Sequence, residues 1–210
     1  MVPDREPHAP RVVVRFLGRA VSGPWARTAS VPVILLRLDG VVDKLTDGAR
    51  VLDVGCGAGV AVEAIAQAFP NSSVEGVDLS LHAIERARER LADLPNAAAR
   101  HGRAEDVADA AAYDLVLTFD CRHDMTRPDA AMTAVRRAVR EDGTWLVKEI
   151  RCRPTWEQNR RNRCSPCSPG SRSRRAWCRR HPNQEGPHSE PSVCTASCWS
   201  RWLVTPASAA

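Results

Sequence analysis

Three glycines and an acid in the first half of the chain have types and a spacing that suit ligand binding. Gly55, Gly57 and Gly59 alternate in a short turn, and Asp53 lies two residues before the first of them. A ligand can approach the backbone of such a turn closely because glycine has no side chain, and the helix that follows exposes free N–H groups. The spacing differs from the Gly-x-Gly-x-x-Gly dinucleotide fingerprint, since Val60 stands at the position of its third glycine.

A second acid, Asp78, ends a short apolar run downstream of the glycine turn. A carboxylate about 20 residues after such a turn can accept hydrogen bonds from two ribose hydroxyls, as in other nucleoside-binding sheets. Two alternatives stay open. Asp53 could cap a loop, and Asp78 could form a helix start together with Ser80.

Strand and helix signals alternate around these residues. Short apolar runs predict strands at 50–54, 74–78, 97–101, 113–119 and 144–150, the third of them weak. Helical spacing predicts helices at 60–69, 81–91 and 128–139, and Asp142-Gly143 predicts a turn. The first 38 residues give no clear signal, and 12–17 fits either a strand or one helical turn. Strands separated by helices predict an α/β fold with a parallel sheet covered on both faces.

The whole string Val51-Leu52-Asp53-Val54-Gly55-Cys56-Gly57-Ala58-Gly59, placed directly after a strand, resembles the class I S-adenosylmethionine-dependent methyltransferases. The resemblance implies a Rossmann-like doubly wound parallel sheet and S-adenosylmethionine as the cofactor. It implies that the methionine part is held by Asp53, Gly55, Cys56, Gly57 and Gly59. It further implies that Asp78 binds the ribose and that Leu79 packs on the adenine. A carboxylate near the turn suits the sulfonium and ammonium groups of this cofactor.

Residues 102–106 match the loop that borders the adenine in this family. The resemblance assigns Ala104, through its backbone, and Glu105 to the adenine. Arg103 departs from the family pattern, because relatives frequently carry Asp directly after the glycine. The alternative is that the acids here are solvated residues at a helix start.

Residues 119–125 follow the fourth strand and, in this family, face the methyl group of the cofactor. Asp120 and His123 are the candidate catalytic residues, because a histidine beside a carboxylate can act as a general base toward a hydroxyl or amine. The alternative is a loop that only packs against the cofactor, since positioning can supply much of the catalysis.

The composition changes near residue 150, after which Arg, Ser, Pro and six of the eight cysteines accumulate. The expected organisation is an unassigned segment at 1–38, the cofactor-binding domain at 39–162 and an irregular basic tail at 163–210. A class I sheet usually has seven strands, whereas five are found here. The expected sheet therefore lacks the normal last hairpin.

Three interpretations of the tail compete. The first is a disordered basic segment. The second is a zinc site, although the spacing matches no zinc module; the available ligands are Cys164, Cys167, Cys178, His181, His188, Cys194 and Cys198. The favoured interpretation is a shifted reading frame of a GC-rich gene, because such shifts convert Ala, Leu and Gly codons into Arg, Pro, Cys, Ser and Trp. The chain would then be a truncated enzyme, and no metal is expected.

The sequence shows neither a membrane span nor an export signal. No apolar run reaches the roughly 20 residues of a membrane span, and the acidic N-terminus lacks a signal-peptide layout. We therefore expect a cytoplasmic protein with reduced cysteines.

The expected function is methyl transfer from S-adenosylmethionine to a small molecule, without membrane partners. One alternative is an inactive cofactor-binding remnant. The other, less favoured, is a nucleic-acid-binding protein that uses its basic tail and the net charge of +5.

Overall fold

The computed structural model describes residues 11–17, 31, 34–107 and 110–150. The chain divides into two units. The first, Met1–Arg15 with Ala20–Lys148, contains every described helix and nearly all of the sheet. The second comprises Phe16–Arg19 and Glu149–Ala210, and the described residues include only two strand ends from it. The predicted tail at 163–210, its zinc ligands and the last hairpin lie outside the described residues.

Six strands and four fully described α-helices lie in the described part of the chain, and Val31, Ile34 and Leu35 are also helical. The strands are β1 Arg11–Leu17, β2 Arg50–Val54, β3 Ser73–Asp78, β4 Ala97–His101, β5 Tyr113–Phe119 and β6 Val139–Ile150. The helices are α1 Val41–Asp47, α2 Val60–Ala68, α3 Leu81–Leu91 and α4 Pro128–Ala138. Short 3₁₀ turns occupy Ala104–Asp106 and Arg122–Asp124.

The sheet has the strand order β1-β6-β5-β2-β3-β4, and the five strands from β6 to β4 are parallel neighbours. The chain moves outward from β2 through β3 to β4, and then outward in the opposite direction from β5 to β6. Because such crossovers are right-handed, α2 and α3 cover one face and α4 covers the other. The predicted doubly wound α/β fold is confirmed, with its switch point between β2 and β5.

The two faces of the sheet have separate packing partners. On β2 and β5, Val51 and Leu115 belong to one apolar cluster together with Val62 and Ile65 of α2. Their strand neighbours, such as Leu52, are equally buried but lie outside that cluster. The buried residues of α4 also lie outside it. Strands buried on both faces explain the continuous apolar runs in the sequence.

Helix starts follow local signals in the sequence. The Ser80 side chain accepts a hydrogen bond from the backbone of Ala83 at 3.3 Å and caps α3. Pro128 occupies the first turn of α4, where its missing N–H costs nothing. The weak strand at 97–101 is confirmed as β4, and the ambiguous segment 12–17 belongs to strand β1.

The predicted turn at Asp142-Gly143 is wrong. Strand β6 begins at Val139, five residues before Thr144. Its pairing with β5 is irregular at this end, because Val139 pairs with Tyr113 whereas Thr144 pairs with Leu115. A Cβ on Gly143 would lie 2.8 Å from a methyl group of Val139. The Asp-Gly pair therefore lies in an irregular stretch inside strand β6, where β6 has three more residues than the facing part of β5 (a step of five against a step of two).

Candidate functional site

The glycine turn lies at the carboxyl end of β2, beside the switch point. Its first two N–H groups, of Gly55 and Cys56, donate to the carbonyl of Val77 at 2.8 and 3.2 Å, which ties the turn to β3. Gly55, Gly57 and Gly59 have φ angles of 74°, 57° and 75°. All three angles are in the left-handed region, which explains why the turn requires glycine at alternate positions.

The carboxylate of Asp78 joins two backbone segments. Its Oδ2 accepts a hydrogen bond from the N–H of Gly57 at 2.9 Å, and its Oδ1 accepts one from the N–H of Ser80 at 2.8 Å. The second bond confirms that Asp78 takes part in the start of α3. The first bond brings the predicted ribose acid onto the predicted methionine turn. Each oxygen has a second lone pair in addition to the one used.

Helix α3 supports the turn from outside. The guanidinium of Arg90 donates to the carbonyl of Ala58 at 2.9 Å and to the carboxylate of Glu63 at 2.8 Å. A Cβ on Gly59 would lie 3.1 Å from the side chain of Ala87, so that α3 packs directly on the turn. Sequence reasoning missed Arg90. No local pattern marks it, because its role depends on the packing of α2 against α3.

Buried acidic and thiol groups surround the start of the turn. Asp53 is buried at the end of β2, and Cys56 is buried above Gly76, where a Cβ would lie 2.7 Å from the sulfur. Burial is the main cause that raises the pKa of the Cys56 thiol, and the charges of Asp53 and Asp78 raise it further. The potential around the turn is therefore negative, and it favours cations.

The predicted adenine contacts lie on two loops near Asp78. Leu79 is 51% exposed, which is unusual for leucine in this structure, and it directly follows the acid. Its carbonyl lies 3.0 Å from the ring nitrogen Nε2 of His101 at the end of β4. The backbone N–H of Gly102 donates to the carbonyl of Asp78 at 3.0 Å. The ends of β3 and β4 are thus held together beside an exposed apolar surface.

Arg103 pairs with Glu105 at the 3₁₀ turn that begins with Ala104. The guanidinium donates to the Glu105 carboxylate at 2.9 and 2.6 Å and to the hydroxyl of Thr126 at 3.2 Å. Burial, the largest single cause, raises the pKa of Glu105, but the hydrogen bond and charge of Arg103, a backbone hydrogen bond and the charge of Arg127 together lower the net pKa. The residue that departs from the family pattern therefore holds the acid assigned to the adenine.

Asp120 lies across the switch point from the glycine turn. Its backbone has a left-handed φ of 50°, and its N–H donates to the carbonyl of Lys148 at 2.9 Å. Its carboxylate forms an ion pair with the ammonium group of the same Lys148, which is buried. Sequence reasoning missed this lysine. Its only signal is a charge within the apolar strand that ends at residue 150.

The loop after Asp120 closes against the glycine turn. The thiol of Cys121 donates to the carbonyl of Val54 at 3.2 Å, and a Cβ on Gly55 would lie 2.5 Å from the Cβ of Cys121. Cys121 is thus a small packing residue between the two loops. For His123 only the backbone is described, within the turn Arg122–Asp124, so that its pairing with Asp120 stays a prediction.

No described helix has the length and apolar character to cross a membrane. No group of three His, Cys, Asp or Glu side chains in the described ranges is arranged to hold a metal ion.

Comparison with known proteins places the chain in a family. Residues 45–186 match the family model described as a methyltransferase domain. The chain is 33% identical over 118 residues to a fatty-acid O-methyltransferase of Mycolicibacterium smegmatis, covering 53% of this chain and 42% of the relative. It is 31% identical over 130 residues to a ubiquinone biosynthesis O-methyltransferase of Neisseria meningitidis, covering 59% of this chain and 52% of the relative. The chain thus spans about half the length of these relatives.

Two solved structures share the fold. The YcgJ protein of Bacillus subtilis matches with a TM-score of 0.50 and 23% identity, covering 57% of this chain and 49% of that one. A protein of Methanococcus maripaludis, assigned as an S-adenosyl-L-methionine-dependent methyltransferase, matches with a TM-score of 0.50 and 19% identity, covering 58% and 57%. Since the family model covers more than half of the sequence, the chain belongs to the methyltransferase-domain family.

Proposed function

We propose that this chain binds S-adenosylmethionine at the switch point and transfers its methyl group to a small molecule. The observation that carries the proposal is the hydrogen bond between Gly57 and Asp78, which joins the ends of β2 and β3 into one site. Ligands of open parallel sheets bind outside the carboxyl ends of the strands at such a point. The two relatives named as O-methyltransferases support a small acceptor.

The residues at the ends of β2 and β3 fit an adenosine group. A Cβ on Gly57 would meet no atom of the described residues within 4 Å, so among them the backbone of the turn faces open space that a ligand can approach. The free lone pairs of Asp78 are suited to two ribose hydroxyls. Exposed Leu79 offers an apolar surface for the adenine face, and Glu105, with the backbone of Ala104, offers acceptors for its amino group.

The electrostatics of the turn fit the methionine part. S-adenosylmethionine supplies a methyl group on a cationic sulfonium, and it also carries an ammonium group. The charges that raise the pKa of Cys56, those of Asp53 and Asp78, make the potential negative where the turn begins. A cation gains free energy from that potential, whereas a pyrophosphate would be repelled.

The loop after β5 would contribute to the transfer itself. Asp120 and His123 follow a strand end that adjoins the glycine turn, and we propose that one of them accepts a hydrogen bond or a proton from the acceptor's nucleophile. Positioning the nucleophile in line with the methyl group would supply the remaining catalysis. A loop that only positions the substrate would leave turnover nearly unchanged when both side chains are replaced.

The test is a calorimetric titration of the full chain with S-adenosylmethionine, beside the variants Asp78→Ala and Asp93→Ala. Asp93 is an exposed acid just after α3, away from the carboxyl ends of the strands, and is therefore the matched control. We expect saturable binding that Asp78→Ala weakens by about tenfold or more, equivalent to about 1.4 kcal/mol. Absence of binding, or equal binding by both variants, would contradict the proposal.

Turnover distinguishes an enzyme from an inactive cofactor-binding remnant. Release of S-adenosylhomocysteine would be measured with oleic acid and with catechol as probe acceptors, chosen for their carboxylate and phenolic oxygens. Acceptor-dependent release supports an active enzyme. Cofactor binding without release on any carboxylate, phenol or amine probe would favour the remnant.

A further inference from the structure

A lysine is buried at the carboxyl end of β6, where apolar residues would be expected. Lys148 is 4% exposed, and its strand neighbours Leu146 and Val147 are fully buried. Its ammonium group pairs with the carboxylate of Asp120 and lies 6.0 Å from the centre of the Phe119 ring. The pair joins β6 to the first residue after β5, directly beside the switch point.

Stability alone is a weak reason for this pair. Removing two charges from water is expensive, and apolar residues of similar volume often stabilise a fold as well or better. The backbone of Asp120 is already held by its own hydrogen bond to the carbonyl of Lys148 at 2.9 Å. The backbone of Asp120 therefore does not need the ammonium group to hold it. What the ammonium group adds is a positive charge beside the carboxylate.

The two charges are not equally accessible from the site. The Asp120 side chain is 20% exposed and that of Lys148 is 5% exposed, so the carboxylate is the more accessible of the two charges. Cys121, the next residue, packs on Gly55 of the glycine turn. A ligand at the switch point would therefore meet the carboxylate of Asp120, whose negative charge is already paired with the ammonium group of Lys148.

We propose that Lys148 is a positioning residue that balances the charge of Asp120 toward a bound sulfonium. The inference rests on the proposed function. An unbalanced carboxylate would stabilise the cationic sulfonium of the donor, and that charge disperses when the methyl–sulfur bond breaks and the electron pair stays on sulfur. Stabilising the ground state in this way opposes catalysis. With Lys148 present, the site discriminates less between cationic S-adenosylmethionine and neutral-sulfur S-adenosylhomocysteine.

The test compares the affinities of these two ligands by calorimetry, so that it needs no acceptor. In Lys148→Met the carboxylate is unbalanced, and the affinity ratio of S-adenosylmethionine to S-adenosylhomocysteine rises by about threefold or more. In Asp120→Asn the ammonium is unbalanced, and the ratio falls by a similar factor. The double variant returns to within about twofold of the original ratio. A purely structural pair would change both affinities alike and leave the ratio unchanged.

Two controls keep the test decisive. Lys148→Arg retains the charge and should retain the ratio, and thermal unfolding reports whether each variant is folded. If Lys148→Met does not fold, the ratio in Asp120→Asn decides, because Asn tolerates the left-handed backbone of this position. Unchanged ratios in a chain that binds both ligands overturn this inference alone. A chain that binds neither ligand overturns it together with the proposed function.

Discussion

The carboxylate of Asp78 accepts a hydrogen bond from the backbone of Gly57 at 2.9 Å, across the ends of two neighbouring strands. The glycine turn and the acid are 21 positions apart in sequence, yet this bond joins them without any ligand. Because a preorganised site loses less conformational entropy on binding, changes that disturb this pair should reduce ligand affinity.

Gly57→Ala should reduce both stability and ligand affinity. The added methyl group meets no atom of the described residues within 4 Å, so the loss of stability comes from the left-handed backbone and is about 1–2 kcal/mol in the free energy of unfolding. The methyl group would, however, occupy the space that a ligand approaches. We expect the calorimetric affinity for S-adenosylmethionine to fall by about tenfold.

Gly40→Ala is the matched control for Gly57→Ala. Gly40 precedes α1 with a φ of 73° and is likewise open around its Cβ position, so the loss of stability in urea should be similar. Its affinity for S-adenosylmethionine should stay unchanged. If both variants bind the ligand as the original chain does, the open face of the turn is not a ligand surface.

Gly76→Ala should destabilise the sheet through a contact with Cys56. The added Cβ would lie 2.7 Å from the sulfur and 3.0 Å from a methyl group of Val62. Overpacking of this kind typically costs about 1–3 kcal/mol in the free energy of unfolding. Urea denaturation of the variant measures this cost.

Removal of the sulfur tests the cause of that destabilisation. In the double variant Gly76→Ala/Cys56→Ala the closest contact is lost, and we expect a favourable coupling energy of about 0.5 kcal/mol or more between the two sites. The contacts with the Cβ of residue 56, at 2.9 Å, and with Val62 remain, so recovery is partial. Strictly additive effects would show that the thiol is not the obstacle.

The pH dependence of stability should contain a contribution from Cys56. Its pKa is raised, first by burial and then by Asp53 and Asp78. The folded chain therefore keeps the thiol proton at pH values where the unfolded chain releases it. Below the ordinary thiol pKa of about 8.5 both states keep the proton, and the free energy of unfolding is unaffected. Above that pH only the unfolded chain releases the proton, so the free energy of unfolding falls by up to about 1.4 kcal/mol per pH unit.

The measurement is the difference in unfolding free energy between the original chain and Cys56→Ala at several pH values from 7.5 to 10, as an approximate range around the thiol pKa. Taking the difference removes the other titrating groups. We expect a constant difference at the lower end and a steady loss of the original chain's relative stability above it. A difference independent of pH would mean that the thiol is accessible to water.

Local signals in the sequence were sufficient for the fold. The doubly wound sheet follows from apolar runs that alternate with amphipathic helices, and the glycine turn follows from its position after Val54. The irregular stretch in β6 was not predictable, because Asp142-Gly143 carries a turn signal that only the pairing with β5 overrides. Pairing with a neighbouring strand can outweigh the local turn propensity of a sequence such as Asp-Gly.

The candidate site was predictable only where its residues adjoin a strand end. Asp78 and Asp120 are marked by the strands that they follow. Their partners are not: Arg90 reaches the turn from α3, and Lys148 reaches Asp120 from the adjacent strand. Such contacts depend on which elements become neighbours in space, and no spacing along the chain encodes them.

Glu105 provides the last test, because its carboxylate is paired with a residue that departs from the family pattern. Its side chain is 16% exposed and is held by Arg103, which also bonds to Thr126 on the loop before α4. If Glu105 accepts the adenine amino group, Glu105→Ala should weaken S-adenosylmethionine and S-adenosylhomocysteine equally. One lost hydrogen bond corresponds to about 0.5–1.5 kcal/mol, or roughly two- to tenfold in affinity.

The ratio of the affinities for S-adenosylmethionine and S-adenosylhomocysteine distinguishes the contact of Glu105 with the adenine from the charge effect of Asp120. The adenine is the same in both ligands, so Glu105→Ala should leave the ratio unchanged. Glu89→Ala is the control, since Glu89 is an exposed acid on α3. A calorimetric loss in Glu105→Ala for one ligand only would place Glu105 near the sulfur instead. Equal affinities in Glu105→Ala and Glu89→Ala would remove Glu105 from the site.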